Sequence, residues 1–117
     1  MTKVTLYVRG KDDIRGFLCC GHSGYAQEGS DIVCAAVSAL TQGCANALET
    51  VAGVVPRVRV NDGFLALRLP EDCTERDAQV LLHGMLQGLR DIQARYPGYL
   101  RLNVQPVSGT EEFKCFR

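Results

Sequence analysis

A chain of 117 residues, 46% of them hydrophobic, is long enough for one domain with its own core and short for two. Lysine plus arginine number 13 and aspartate plus glutamate also 13, so no charge excess advertises a polyanion, and direct nucleic-acid binding is not expected. The first residues lead into alternating apolar positions without the apolar h-region of a secretory leader. No segment approaches the roughly 20 apolar residues of a membrane span, so no membrane partner is expected.

A cytoplasmic location follows as the expectation, and it bears on the cysteines. Cys19, Cys20, Cys34, Cys44, Cys73 and Cys115 then read as thiols rather than as a disulfide framework. Their spacing is irregular and contains no Cys-x-x-Cys pair, which weakens a structural zinc site.

Residues 3–9, Lys3-Val4-Thr5-Leu6-Tyr7-Val8-Arg9, are rich in β-branched and aromatic side chains and predict a strand. Gly10 to Asp13 predict a turn and Ile14 to Cys20 a second strand, together a hairpin. Residues 21–31 hold Gly21, Gly24 and Gly29 without helical periodicity and predict a loop. From Ile32 to about Ala52 the pattern is helical. Ser38, Thr41, Gln42, Asn46 and Glu49 form one polar stripe, and small or apolar residues fill the rest, which predicts a mostly buried helix.

Val58 to Val60 and Phe64 to Leu69 flank Asn61-Asp62-Gly63 and predict a second hairpin. Thr74 and Asp77 resemble a capping box opening a helix over about Glu75 to Tyr96, with Leu82, Met85, Leu86, Leu89, Ile92 and Tyr96 on its core face. Within it, Gly84-x-x-x-Gly88 reads as ordinary close helix packing. Pro97-Gly98 ends the helix, and Tyr99 to Gln105 predict a last strand. The domain is thus expected over 1–105, with a poorly packed tail over 106–117. The order ββαββαβ predicts an α+β domain, two helices packed against a mainly antiparallel sheet.

The chemistry concentrates where the glycine loop meets the first helix. A cysteine in a helix is ordinarily a small core residue. Cys34 differs by lying at the predicted helix start, on the polar stripe, with His22 on the loop upstream. A free thiol has a pKa of about 8.5 and functional thiolates about 3.5–7.5. Lowering it by about two pH units takes about 2.7 kcal/mol. A helix N-terminus supplies about 0.3–1 kcal/mol, so an imidazolium partner is required and His22 is the nearby candidate. His83 falls with Gln79, Gln87 and Arg90 on the solvated face of the second helix and reads as a bystander.

Asp31 has two readings, an N-cap for the helix or a group orienting the imidazole. The N–H groups of the first turn could form an oxyanion hole beside Cys34. The loop glycines suit close approach of an extended peptide, and equally a tight turn. Cys20, His22 and Cys34, with Cys19, form a rival zinc-holding set, although their spacing matches no common finger.

The run Gly21-His22-Ser23-Gly24-Tyr25-Ala26, then Gly29, then Asp31-Ile32-Val33-Cys34-Ala35-Ala36-Val37-Ser38 resembles the signature of the Prp family of ribosomal-processing cysteine proteases (YsxB-like). The resemblance covers residues 1 to about 105. It implies Cys34 as nucleophile, His22 as general base, Asp31 in a supporting role and a homodimer. Gly21, Gly24, Tyr25, Gly29 and Ser38 complete the expected substrate-binding set, with no metal and no cofactor. The implied substrate is the N-terminal extension of large-subunit ribosomal protein twenty-seven, cut after a hydrophobic, phenylalanine-containing motif before ribosome assembly. The alternative is a non-catalytic ribosome-assembly or metal-binding module. Leu102-Asn103-Val104-Gln105-Pro106-Val107 alternates like such a peptide, and reads as an edge strand or a pseudo-substrate.

Overall fold

The computed structural model describes residues 1–21 and 28–108, with the side chains of 28–31 outside that description. Its elements follow the expected order: β1 (Thr2–Arg9), β2 (Asp13–Cys20), α1 (Glu28–Thr50), β3 (Arg57–Asn61), β4 (Phe64–Arg68), α2 (Arg76–Arg95) and β5 (Leu100–Pro106). The strands form one five-stranded sheet in the order β3-β4-β2-β1-β5. The β1–β2, β2–β4 and β3–β4 pairs are antiparallel, whereas β1 and β5 are parallel. A tight turn cannot join β4 to a strand running the same way, so α2 serves as the crossover.

Alternation decides which face is covered. Val4, Leu6 and Val8 of β1, Phe17 of β2 and Leu65 and Leu67 of β4 join the buried residues of both helices in one core. The opposite face keeps a smaller cluster, where Leu18, Phe64 and Val107 pack on the buried Tyr7 and Ala66. The helices meet closely at Gly88, where an added Cβ would come within 2.9 Å of Leu40, while Gly84 opens on free space. Half of the small-residue pair thus performs the expected close packing.

Several boundaries move. α1 begins at Glu28, so the loop expected over 21–31 gives up its last residues to the first helical turn. Glycine costs a helix about 1 kcal/mol, which is why Gly29 read as loop, but acidic residues such as Glu28 and Asp31 favour a helix start. α1 is also less buried than its composition predicts. Ile32 is 50% exposed, and Ala35, Ala39 and Gly43 share its open face, while Thr41 of the supposed polar stripe is buried and bonded to the Val37 carbonyl at 2.8 Å.

By length and composition the segment Ile32–Thr50, mean hydropathy 1.2, passes as a membrane span, against the expectation that no segment would. Val33, Val37, Cys44 and Leu48 explain that hydropathy by their place in the core against the sheet and α2.

The capping box at Thr74 does not form. Glu75 is the N-cap of α2 and makes no side-chain cap bond, and Asp77 stands in the first turn. Gln79, expected in solvent, instead bonds Ile14 through both ends of its amide, at 2.9 Å to the N–H and 2.8 Å to the carbonyl. That contact sits at a break in the β1–β2 register, where Arg15 is left out of the pairing. The bulge turns Arg15 inward, 6% exposed, and its guanidinium donates to the carbonyls of Pro70, Glu71 and Cys73. At the chain's far end β5 includes Pro106, and the Val107 N–H bonds the Val8 carbonyl at 3.0 Å. β5 therefore runs one residue past 105, positions 109–117 of the expected tail lie outside the described residues, and the alternating segment is an edge strand.

Candidate active site

Cys34 lies in the second turn of α1, half-buried, because the helix starts earlier than its glycines suggest. Two consequences follow. Asp31 has helical residues before it and is not the N-cap. The unpaired N–H groups of the helix start lie one turn before Cys34, the direction in which its Cα–Cβ bond leans. The dipole's influence fades within the first turn, so Cys34 draws less from it than a thiol at the helix start would.

Other groups meet the sulfur instead. Thr2 Oγ1 lies 3.3 Å from Cys34 Sγ. Thr2 is 4% exposed, and its N–H bonds the Tyr99 carbonyl at 3.2 Å, which fixes the start of β1. Gly21 closes the same corner. Its φ is +91°, and a Cβ there would stand 2.6 Å from the Met1 carbonyl oxygen, so a side chain would clash with backbone. Its N–H in turn bonds the Gly63 carbonyl at 3.1 Å, tying the root of the glycine loop to the β3–β4 turn.

Cys34, Gly21 and Ser38 line one cleft of about 120 Å³ with Thr2 and Cys19. The expected nucleophile and two of the expected substrate-binding residues thus come together. Cys19 adds a second thiol to the cleft. Burial, then Cys20 and Cys34 nearby, push its pKa up to about 11, so it stays protonated at neutral pH. The backbone of Gly29 belongs to the first turn of α1. His22, Gly24 and Tyr25 lie outside the described residues, as does the side chain of Asp31.

Sequence reasoning missed the other wall. Val60, Asn61, Gly63 and Phe64 of the second hairpin complete the cleft. A further hollow of about 370 Å³ shares Gln42, Val60 and Leu65 with it and continues past Val58 to Glu49 and Pro56. Together they form a trough from Cys34 along α1 and the outermost strand. The Asp62-Gly63 turn signalled the hairpin, but its place over Cys34 depends on β2 pairing with β4, which local patterns do not encode.

Among the described residues no group of three or more His, Cys, Asp and Glu is arranged to hold a metal ion. The rival zinc set also requires His22, which lies outside them. Cys19, Cys20, Cys34, Cys44 and Cys73 are free thiols.

Comparison with known proteins bears on what such a thiol does. The family model described as cysteine protease Prp matches residues 1–101. The ribosomal processing cysteine protease Prp of Bacillus subtilis (strain 168) is 31% identical over 112 residues, spanning 92% of this chain and 100% of its own. Its counterpart in Staphylococcus aureus (strain Mu50) is 30% identical, spanning 88% and 98%. The fold matches the crystal structure of the essential ribosomal processing protease Prp from S. aureus in complex with a substrate peptide. That likeness has a TM-score of 0.83 and 29% identity, and covers 90% of this chain and 100% of that one. The same S. aureus protein with a covalently linked product peptide gives a TM-score of 0.81, with 30% identity and the same coverage. A half-buried thiol at the end of a trough, on a fold whose neighbours hold peptides, agrees with that match, and the chain belongs to the cysteine protease Prp family.

Proposed function

We propose that the chain is an endopeptidase that removes the N-terminal extension of large-subunit ribosomal protein twenty-seven before ribosome assembly. The observation that carries this reading is the trough. It begins at Cys34 and runs beside Val58 and Val60, where an extended peptide would lay an apolar side chain. Support for the substrate comes from relatives named for ribosomal processing and from the peptide held by one of them.

In this reading His22 takes the thiol proton and leaves a thiolate–imidazolium pair. Cys34 Sγ attacks the scissile carbonyl carbon, and its oxygen takes the negative charge, facing the N–H groups at the start of α1. The carbon–nitrogen bond breaks as His22 returns the proton to the leaving amine. Water, deprotonated by the same imidazole, then hydrolyses the thioester and frees Cys34. Asp31 supports the imidazole, and Gly21, Gly24, Tyr25, Gly29 and Ser38 face the peptide. No metal or cofactor takes part.

A cytoplasmic homodimer belongs to the same proposal, and the open small-residue face of α1 through Ile32, Ala35 and Ala39 is where a second copy would fit. Incubating the protein with a synthetic extension peptide and weighing the products tests the function. Cleavage after the phenylalanine-containing motif is expected. An intact peptide, stoichiometric zinc in the purified protein and a Cys34 inert to iodoacetamide would overturn it in favour of a metal-binding module.

A further inference from the structure

A thiol in the second turn of a helix needs help that the dipole does not give, and Thr2 stands where that help is required. Its hydroxyl is 3.3 Å from Cys34 Sγ, a bonding distance for sulfur, and the residue is almost wholly buried. It is also held in place on both sides. The Thr2 N–H is fixed to the Tyr99 carbonyl, and Gly21 packs its backbone against Met1, leaving the first residues of β1 little room to shift. A hydroxyl both donates and accepts, but a thiolate only accepts, so in the reactive form the proton of the pair lies on Thr2 Oγ1 and points at the sulfur.

We propose that Thr2 is a positioning residue for Cys34, its hydroxyl aiming the sulfur into the cleft and stabilising the thiolate over the thiol. The proposal rests on the reading of Cys34 as nucleophile. A hydrogen bond made to the charged form of an acid favours that form, and bonds to ionised acceptors are stronger than neutral ones. Among the described residues the other ionisable groups near the thiol are few. Cys19 of β2 shares the cleft and stays protonated at neutral pH, with Cys20 beside it. Asp62 sits at the tip of the β3–β4 turn, and the amino group of Met1 adjoins Thr2. His22, Glu28 and Asp31 precede Cys34 in the chain. Thr2 itself does not titrate, so its hydroxyl remains a donor at every pH at which the fold holds.

Thr2→Val keeps the shape and removes the hydroxyl, and Thr2→Ser restores it. The rate of iodoacetamide attachment to Cys34 is followed against pH by peptide mass analysis, and cleavage of the extension peptide is followed in parallel. In Thr2→Val the rate of alkylation at Cys34 at neutral pH is expected to fall about tenfold, the usual worth of one hydrogen bond to a charged acceptor. kcat should fall in step with unchanged KM, and the loss should shrink as the pH rises and the thiol ionises unaided. Thr2→Ser should return both profiles to those of the unaltered protein. A Thr2→Val profile that overlays the original overturns the proposal, and so does a Thr2→Ser variant as impaired as Thr2→Val, since packing alone would then explain the loss. Alkylation needs no substrate, so failure of the unaltered protein to cleave the peptide overturns the protease function while leaving the Thr2 effect readable.

Discussion

Among the described residues, two hollows that carry a cysteine teach opposite lessons. The larger, about 490 Å³, lies between the β1–β2 turn and the start of α2, and holds Cys73 and His83. The smaller, about 120 Å³, holds Cys34 and Cys19. Volume and the presence of an imidazole would favour the larger. Several of its polar groups, however, are already engaged. His83 Nε2 is 2.6 Å from the Asp12 carbonyl and donates to it, and Arg9 and Asp13 form an ion pair at 2.8 Å. Arg15 binds the Cys73 carbonyl, which makes the segment beneath the hollow a structural tie. At the smaller hollow a buried hydroxyl is directed at a half-buried sulfur, and a trough leads away from it. What marks a site is polar capacity aimed at a reactive atom with room for a substrate beside it.

The sharpest way to break that contrast is to disarm each hollow in turn. Cys34→Ala should remove peptide cleavage by about 10³-fold or more, since no nucleophile remains. His22→Ala should cost about 10²–10⁴-fold, the usual worth of acid–base catalysis. Cys73→Ala combined with His83→Ala should stay within about twofold of the original rate, because neither side chain faces the trough. Product analysis on one extension peptide decides all three. A silent Cys34→Ala, or a crippled double variant, would reverse the assignment of the two hollows.

The next largest effect separates structure from chemistry. Arg15→Met fills similar space but leaves the carbonyls of Pro70, Glu71 and Cys73 without their donor. Lost bonds to a buried cation cost about 2–4 kcal/mol of stability, read by urea unfolding. Cleavage per folded molecule should hardly change. If Arg15→Met were as stable as the original, the bulge in β2 would be incidental and the larger hollow would lose its structural reading.

What the sequence made legible follows from how local each signal is. Alternation along Val4, Leu6 and Val8 and the Asp62-Gly63 turn encode their own strands and hairpins. The period through Leu82, Met85, Leu86 and Leu89 likewise places the buried face of α2. The glycine–histidine–cysteine run marked Cys34, Gly21 and Ser38, which share one cleft, yet its helix start was misplaced, because Gly29 weighs against a helix that begins at Glu28 all the same. Thr2 was invisible as a partner. It stands 32 residues from Cys34, and nothing local marks a threonine in a first strand as lying under a helix. The hairpin wall of the cleft and the parallel β1–β5 pairing were hidden for the same reason. Arg15 reads as a solvent-facing strand residue unless the bulge is known.

A smaller effect tests whether the trough that distinguishes the Cys34 hollow binds peptide. Val60 is 64% exposed and lines both of its compartments. Val60→Glu puts a charge where an apolar side chain of the peptide is expected to lie. KM should rise about tenfold, about 1.4 kcal/mol, with kcat little altered, since the residue lines the peptide's path and has no part in the chemistry at Cys34. Loss confined to kcat would mean that the peptide enters from another side.

The smallest effect at neutral pH concerns the thiols that do not react. Cys19 and Cys44 both have pKa values pushed up to about 11, by burial in each case, with Cys20 and Cys34 adding to it for Cys19. The folded protein therefore keeps these protons at pH values where the unfolded chain, near 9.0, has lost them. Their contribution to stability is complete below about pH 9 and drains away as the pH climbs through about 11. Urea unfolding across that range should show a falling midpoint, and Cys44→Ala should flatten part of the fall while lowering the neutral value through lost packing. Iodoacetamide at neutral pH should meanwhile leave Cys19 unmodified and label Cys34, although both thiols line the same cleft. If Cys19 were labelled as fast as Cys34, the cleft would not distinguish its two sulfurs, and the thiolate at Cys34 would need an explanation other than its own hydrogen-bond partners.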